Sequence, residues 1–476
     1  MESLWTQSTH LPSFPRLEGH RETEIAIIGG GLAGILIADA LHQAGADAIL
    51  LEADRIGSGQ TAGTTAKLTA QHGLKYQQLN KTLGFETAGR YAAAHLTAVT
   101  HLRSLVQQRG IDCDFQDCTS YLYESAASDS LQQEYEICRK LGMDVFLTSD
   151  TELPFSAKVL GLRHQAHFHP LKLLSSLAEP LSIFEHSRVL EVADHTLRTE
   201  SGTVTAKKII FTCHYPFVNM PGYYFLRQHQ ERSYVLALEH ALPFQNYYLG
   251  VDGNQLSFRP YGNLLLLGGS GHRTGENSPG GNYEQLIQTA KQFWPKSVPT
   301  VCWSAQDCIP MDGIPYIGQY GKSRPDWLVA TGFQKWGMTS SVLASMILSA
   351  LAQNRSPIPE AEIFSPLRFH PAASAKQLTD DTVHAVRHLS RRLLVPSRIP
   401  AAELPSGHGG IVTLDGKKVG AYRDETGNLH VVSVKCPHLG CQLEWNPAEK
   451  SWDCPCHGSR FDIDGRLLGG PATSSL

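Results

Sequence analysis

The chain of 476 residues has a net charge of −4, with 42% hydrophobic and only 18% charged residues. This length and apolar content allow roughly three domains with buried cores. The short basic segment 388–392 is interpreted as a solvated helix face, so no nucleic-acid partner is predicted. No apolar run approaches the roughly 18 to 20 residues that cross a bilayer, and the first residues lack a secretory pattern. We therefore expect a cytoplasmic protein without a transmembrane segment.

The first predicted domain follows an N-terminal tail, residues 1–22. An apolar run of strand length (23–28) leads into a glycine-rich turn (29–34) and then a helical pattern. A second strand, Ala48–Leu51, precedes Glu52, where a carboxylate can accept hydrogen bonds from an adenosine ribose. Because glycines let a pyrophosphate approach the amides of a helix N-terminus, this pattern predicts a dinucleotide site formed with Glu52 by Gly29, Gly31 and Gly34.

This turn alone does not separate NAD from FAD, but later stretches favour FAD. The chain resembles the D-amino-acid oxidase and glycine oxidase superfamily of FAD enzymes over roughly residues 23–355, and five stretches carry the resemblance: 52–61, 64–67, 258–261, 312–318 and 330–339. The resemblance implies an α/β Rossmann-like FAD-binding domain with an interleaved α+β substrate domain. It also implies FAD as the cofactor.

The same resemblance assigns further cofactor-binding residues. A helix N-terminus near residue 337 is expected at the flavin pyrimidine, where its dipole stabilises negative charge on the reduced ring. A strand at 187–192 is expected to place Val189 against adenine, with an ordinary sheet strand as the alternative. The other implied residues are Thr61, Thr64, Thr65, Gly332, Gly337, Met338 and Thr339.

A second glycine-rich stretch, 268–275, follows a predicted strand and is similar to a nucleotide loop. The residues after it, 276–281, contain Pro279 and two glycines and do not continue as a helix. We therefore interpret 268–275 as a loop that ends a strand. The chain then has no NAD(P)H site of its own, and its electrons come from a substrate or a partner protein.

The last part of the chain is predicted to be a separate small domain. Residues 356–400 form a proline-rich linker with a helical stretch near 380–394, and residues 401–476 alternate short β-rich runs with turn signals. The loops 436–441 and 454–459 each offer a cysteine and a histidine. These loops resemble those of Rieske proteins, which implies an all-β Rieske domain with a [2Fe–2S] cluster.

By this resemblance, the cluster ligands are two thiolates on one iron and two imidazoles on the other. A structural zinc site is the alternative, since zinc accepts the same ligand types. Two further cysteines, Cys441 and Cys456, match the disulfide pair of Rieske proteins from cytochrome bc complexes. Ser459 matches a serine that donates to the cluster, whereas Phe461 replaces a second donor, so an intermediate reduction potential is expected. The implied ligands are Cys436, His438, Cys454 and His457.

Together, the two cofactors predict a dehydrogenase that oxidises a small substrate, an amine or amino acid by family resemblance. Electrons then pass singly through the cluster to an external acceptor. Arg259 is a candidate anchor for a substrate carboxylate, with Tyr261, Lys67 and His214 as further candidates. Arg259 has the alternative of a surface or flavin-neighbour residue, and Lys67 that of a partner for a phosphate or a glutamate. The alternative for Tyr261 and His214 is an ordinary wall residue.

Two other functions are consistent with the same sequence. In one, an external donor protein reduces the cluster and the flavin then reduces a substrate, which makes the chain a reductase component. In the other, the chain is a non-catalytic redox carrier or sensor. Anaerobic mixing with amines discriminates them, because only the dehydrogenase predicts bleaching of the flavin by substrate.

Overall fold

A computed structural model describes residues 2–125, 128–241, 244–253, 255–277, 279–370 and 399–476, with the single positions 374, 379 and 384. The predicted linker helix 380–394 and the basic segment 388–392 lie outside these residues, apart from position 384. Within the described ranges, no helix combines the length and the apolar character that a membrane crossing demands.

The first sheet has eight strands and forms the predicted Rossmann-like layer. Its main path runs β16-β17-β10-β1-β2-β7, in which all the neighbouring pairs except β16–β17 are parallel. With strands numbered along the chain, its members are β1 (Gly19–Ile28), β2 (Ala48–Leu51), β7 (Ile183–Phe184), β8 (Glu191–Ala193), β9 (Thr196–Arg198), β10 (Gly202–Phe211), β16 (Tyr316–Gly321) and β17 (Arg324–Thr331).

The second sheet has nine strands and forms the wall of the substrate domain. Its order is β15-β11-β14-β13-β12-β4-β6-β3, with β5 paired to β6. Because the chain passes repeatedly between the two sheets, the predicted interleaved architecture is confirmed. The strands are β3 (Lys67–Leu68), β4 (Gln116–Glu124), β5 (Val145–Thr148), β6 (Lys158–His167), β11 (Gln228–Glu239), β12 (Tyr247–Gly250), β13 (Ser257–Tyr261), β14 (Leu264–Arg273) and β15 (Val298–Pro310).

Helices cover both sheets, and the largest core lies between them. Helices α2 and α9 pack together, and their side chains Ile35 and Val342 are fully buried in this core. The helices are α1 (Leu4–Ser8), α2 (Leu32–Gln43), α3 (Gln60–Gly63), α4 (Lys75–Leu83), α5 (Phe85–Arg109), α6 (Ser130–Lys140), α7 (Pro170–Ala178), α8 (Asn282–Phe293), α9 (Gly337–Ala352) and α10 (Ala361–Phe364).

The C-terminal domain consists of two small antiparallel sheets, as the sequence predicts. One has the order β18-β19-β20 and the other β21-β22-β23-β24. Their shared core contains Trp452 and Phe461, both fully buried. The strands are β18 (Gly409–Leu414), β19 (Lys417–Arg423), β20 (Leu429–Val432), β21 (Glu444–Asn446), β22 (Ser451–Asp453), β23 (Arg460–Phe461) and β24 (Leu467–Gly469).

Three local expectations differ from the structure. The predicted strand 187–192 is wrong over its first four residues, because the amide of Ser187 donates to the carbonyl of Glu52 at 2.8 Å and leaves no ladder there. Residues 268–273 are not a loop but the second half of β14, and α8 follows after Gly281. The expected N-terminal tail includes α1, whose Trp5 is fully buried in the main core.

Candidate functional site

The glycine-rich turn leaves the N-terminus of α2 open for a pyrophosphate. A Cβ on Gly29 (φ +111°) would lie 2.7 Å from the carbonyl oxygen of Thr212, and one on Gly34 would lie 1.9 Å from the carbonyl oxygen of Gly29. Gly31 caps α2 without a side chain. Glycine is therefore required sterically at Gly29 and Gly34, which lets a pyrophosphate approach the backbone at this turn.

Glu52 sits beside this turn as the ribose site requires. Its carboxylate accepts hydrogen bonds from the amide of Gly30 at 2.6 Å and from the amide of Asp54 at 2.9 Å. Burial raises the pKa of Glu52, while these amide bonds oppose that rise. A carboxylate has about four acceptor positions, so two remain for ribose hydroxyl groups. Buried Val189 lies two residues from Ser187, whose amide donates to the carbonyl of Glu52.

The predicted threonines line the segment between the two sheets. The hydroxyl oxygen of Thr61 accepts from the amide of Leu32 at 3.0 Å, at the start of α2. The hydroxyl oxygen of Thr64 accepts from the amide of Ala66 at 2.9 Å, and Thr65 between them is half-buried. This segment leads into β3, so it connects the pyrophosphate turn with the substrate domain.

The N-terminus of α9 meets the same segment. Gly332 has a φ of +73°, and Gly337 is the first residue of the helix. Thr339 is tied to Thr69 in both directions: its hydroxyl oxygen accepts from the Thr69 amide at 3.0 Å, and its hydroxyl donates to the Thr69 carbonyl at 2.8 Å. Buried Met338 lies beside it. The positive end of a four-turn helix dipole therefore lies beside the residues that follow β3.

Two of the four candidate substrate residues are held inside the wall of the domain. Arg259 is fully buried, where its guanidinium donates to the carbonyl of Phe168 at 2.9 Å and lies 5.0 Å from the ring of Trp5. The hydroxyl of Tyr261 donates to Asp114 at 2.8 Å. Tyr261 thus has the wall contact that the sequence left open as its alternative, whereas fully buried Arg259 is not the surface residue that was one of its alternatives.

The other two candidates are half-buried side chains. The ammonium of Lys67 donates to the hydroxyl of Ser257 at 2.6 Å, and burial, with Arg259 nearby, lowers its pKa to about 7. The Nε2 atom of His214 lies 3.3 Å from the sulfur of Cys308, and burial lowers the pKa of this histidine to about 4. Both side chains are only partly covered by protein, although they are shielded from bulk water.

The four proposed cluster ligands converge at two facing loops. The thiols of Cys436 and Cys454 contact each other, and the rings of His438 and His457 lie 4.8 Å apart at 88°. The Nδ1 atom of His438 is buried and has no hydrogen-bond partner among the described residues, whereas its Nε2 lies 2.9 Å from the side-chain oxygen of Asn219. A buried Nδ1 without a hydrogen-bond partner fits an imidazole that ligates iron.

Cys441 and Cys456 form a disulfide that joins the two loops. Their sulfurs are thereby removed from the set of thiolate ligands, which leaves two cysteines and two histidines. Ser459 contacts the thiol of Cys436 and accepts from the amide of Ala472 at 2.9 Å. The donor set, the clamp and the serine all fit the predicted [2Fe–2S] cluster.

The loop that carries His457 is hydrogen-bonded to the substrate domain. The side-chain amide of Gln230 on β11 donates to the carbonyl of His457 at 2.6 Å. The side-chain amide of Gln306 on β15 donates to the carbonyl of Gly458 at 2.8 Å. The other loop, which carries His438, contacts Asn219 of the flavin-binding part through the Nε2 atom of this histidine. Both histidine-bearing loops are thus anchored on the flavoprotein.

A buried ion pair strengthens this contact between the domains. Arg232 on β11 binds Glu449 of the C-terminal domain at 3.0 Å, and the hydroxyls of Ser304 and Tyr283 donate to the same carboxylate at 2.7 Å each. None of these residues was identified from sequence. Each lies far along the chain from its partner, so no local spacing could indicate the contact.

A parallel sheet with a dinucleotide turn, an adjoining nine-stranded wall and a cysteine–histidine loop pair define a flavin-dependent redox protein with two centres. The chain belongs to the FAD-dependent oxidoreductase family, whose model matches residues 24–351, and a Rieske [2Fe-2S] domain model matches residues 396–476. The protein is therefore an FAD-dependent oxidoreductase with a Rieske iron–sulfur centre, and it binds FAD and a [2Fe–2S] cluster rather than zinc.

Two curated relatives illustrate the similarity, one over the whole chain and one over a short part of it. The "Putative Rieske 2Fe-2S iron-sulfur protein YhfW" of Bacillus subtilis (strain 168) is 36% identical over 100% of this chain and 97% of that protein. The cytochrome b6-f complex iron-sulfur subunit of Chlorobaculum tepidum is 39% identical over 15% of this chain and 39% of that subunit. The first relative has the two-domain organisation over its whole length.

Solved structures support the fold of the larger domain. Glycine oxidase from Geobacillus kaustophilus matches with a TM-score of 0.62 and 18% identity, covering 73% of this chain and 99% of the oxidase. L-proline dehydrogenase from P. horikoshii matches with a TM-score of 0.60 and 14% identity, covering 75% of this chain and 98% of the dehydrogenase. At these identities, the likeness establishes the fold alone.

Proposed function

We propose that this chain is a dehydrogenase for a small amine or amino acid that sends electrons singly through its Rieske cluster to an external carrier protein. Bound FAD can accept a hydride with two electrons and release them one at a time, whereas the cluster accepts one. The observation that carries the proposal is the anchoring of the His457 loop by Gln230, at 2.6 Å, on a strand of the substrate domain. Electrons need no second protein to pass between the centres.

The chain's own residues have distinct parts in this proposal. Glu52 and the amides of α2 hold the adenosine and pyrophosphate, and the N-terminus of α9 stabilises negative charge at the pyrimidine. Lys67, with its pKa near 7, can accept a proton at its Nζ atom in the cleft. Carboxylate anchoring by Arg259 would require its buried guanidinium to be uncovered from Trp5.

We place the protein in the cytoplasm. The six cysteines outside the C-terminal domain form no disulfide and are spaced without any ligand pattern, which suits a reducing compartment. The disulfide is an exception there, and its two cysteines are only 6% and 4% exposed, so reductants reach them poorly.

Anaerobic mixing of the holoprotein with amines and amino acids tests the proposal. A substrate should bleach the flavin, and the electron paramagnetic resonance signal of the reduced cluster should follow. A His438→Ala variant should keep the bleaching and lose the signal, while exposed His408→Ala should change neither. Reduction of the flavin by a reduced ferredoxin, with no bleaching by any amine, would show that electrons flow the other way.

A further inference from the structure

The two strands that hold the Rieske loops, β11 and β15, also present a second face toward the flavin-binding domain. Side chains alternate across a strand, so Gln230 and Gln306 face the Rieske domain while Glu231 and Asp307 face the opposite way. Trp303 on β15 has the same orientation as Asp307, and its indole donates to a carbonyl of α3 in the flavin-binding domain at 3.0 Å. Glu231 and Asp307 lie directly opposite each other in the β11–β15 register.

This inward acidic pair lies beside the loop that leads into α9. The amide of Gln334 donates to the carbonyl of Cys308 at 2.9 Å, and the Nζ atom of Lys335 lies 3.8 Å from the carboxylate of Glu231. The side chains of Lys335 and Glu231 are 39% and 35% exposed. Asp307 is half-buried as a residue, but enough protein surrounds its carboxylate to raise its pKa. The group therefore has an outer end at Lys335 and Glu231 that faces solvent and a desolvated inner end at Asp307.

Asp307 is the member of this group whose carboxylate has no ion-pair partner among the described residues. Glu231 has His229 at 3.6 Å as well as Lys335, and Arg273 lies near enough to lower its pKa further. Among the described residues, none donates a hydrogen bond to the Asp307 carboxylate or forms an ion pair with it.

Electrostatics point the same way. Burial raises the pKa of Asp307 to about 7, and Glu231 adds to the rise, while Lys335 and Arg232 oppose it. Arg232 faces the Rieske domain, where Glu449 pairs with it. A buried carboxylate without a partner is costly, and a cation that enters from the outer end would supply one.

We propose that Asp307 binds the protonated amino group of the substrate and accepts its proton. The inference rests on the proposed function and narrows its substrate class to amines that present a cationic head group at this point. The ammonium N–H bond breaks, its proton goes to a carboxylate oxygen of Asp307, and the free amine keeps the nitrogen electron pair. That pair then forms the C=N bond as the adjacent C–H bond breaks and its hydrogen leaves with two electrons to the flavin.

Three probes of one shape test the charge preference. The tert-butylammonium ion has no hydrogen on the carbon that bears nitrogen, so it cannot be oxidised, and tert-butanol and pivalate are its neutral and anionic counterparts. Binding is measured from the perturbation of the oxidised flavin spectrum and by calorimetry. We expect tert-butylammonium to bind and the other two to leave the spectrum unchanged.

The Asp307→Asn variant then assigns the binding to this residue. It keeps the shape and removes the charge, and it should raise the dissociation constant of tert-butylammonium at least about tenfold. In the native protein that constant should rise about tenfold per pH unit below about pH 7, where Asp307 becomes protonated, and in the variant this dependence should vanish. The control is Asp117→Asn on β4 of the same sheet, whose side chain is 59% exposed.

Three results would overturn the assignment: tighter binding of pivalate, no perturbation by tert-butylammonium at its solubility limit, or a dissociation constant that Asp307→Asn leaves within twofold. Thermal unfolding of the variant checks that it is folded. These outcomes are separate from the proposed function, which fails if no substrate reduces the cluster even where tert-butylammonium binds at Asp307.

Discussion

Replacing Glu449 by glutamine is expected to loosen the Rieske domain from the flavoprotein. The native carboxylate pairs with Arg232 at 3.0 Å, and the two side chains are only 9% and 2% exposed, so water cannot take its place. Removing one partner of a buried pair costs about 3 to 5 kcal/mol. In the variant, Arg232 keeps its hydrogen bond to Gln306 at 3.0 Å, and the side-chain oxygen of the introduced glutamine can still accept a hydrogen bond from Arg232. We therefore expect a loss of stability at the lower end of this range, about 3 kcal/mol.

The assay is denaturant unfolding followed separately by the absorbance of the cluster and the fluorescence of the flavin. The cluster transition should move to lower denaturant, and the transfer of electrons from flavin to cluster should slow. Glu425→Gln is the matched control, because its pair with Lys450 is 65% and 53% exposed and such exposed pairs contribute little to stability. A loss for Glu449→Gln no larger than that of the control would refute the reasoning.

A double variant separates lost charge from lost packing. Arg232→Met with Glu449→Met should recover most of the stability, because apolar side chains of similar size often replace a buried ion pair at little cost.

The pH dependence of this stabilisation follows from the pKa of Glu449. Burial raises the pKa of Glu449, but Arg232 and Arg460 bring it below its ordinary value of 4.5. The stabilisation is therefore complete above about pH 4.5 and is lost as the pH falls through the lower folded value.

Three further predictions concern the cofactors. Gly34→Ala should abolish FAD retention in spectra of the purified protein, since its Cβ would lie 1.9 Å from the carbonyl oxygen of Gly29; retention at the native stoichiometry would contradict this. Cys441→Ser with Cys456→Ser should speed loss of iron under a chelator several-fold, because the clamp between the loops is gone. Ser459→Ala should make the cluster harder to reduce in a redox titration, since a donor beside Cys436 is removed; an unchanged or higher potential would count against it.

The parts of the site that depend on neighbours in sequence could be predicted. The turn at residues 29–34 requires glycine at two positions, because a Cβ there would clash with backbone atoms. Helix α2 and strand β2 follow the turn as expected. The loops at Cys436 and Cys454 carry their ligands at short fixed spacing. In both cases the chemistry is encoded within a few residues, so local reasoning is sufficient.

The parts of the site that depend on tertiary packing could not be predicted from the sequence. The segment before β8 is extended but bonds to Glu52 instead of a strand, and β14 continues through glycines that sequence suggested would end it. Arg259 carries the charge of a substrate anchor, yet Trp5 from the N-terminal helix covers it. Asp307 acquires its unusual environment only because β11 pairs with β15 beside the loop before α9.

The most direct test of the central claim is the reduction of the flavin by light under anaerobic conditions, followed by electron paramagnetic resonance of the cluster at several protein concentrations. Transfer within one chain predicts that the cluster signal grows as the flavin loses absorbance, at a rate that dilution does not change. A flavin that is fully reduced beside a silent cluster, or a rate proportional to protein concentration, would contradict it.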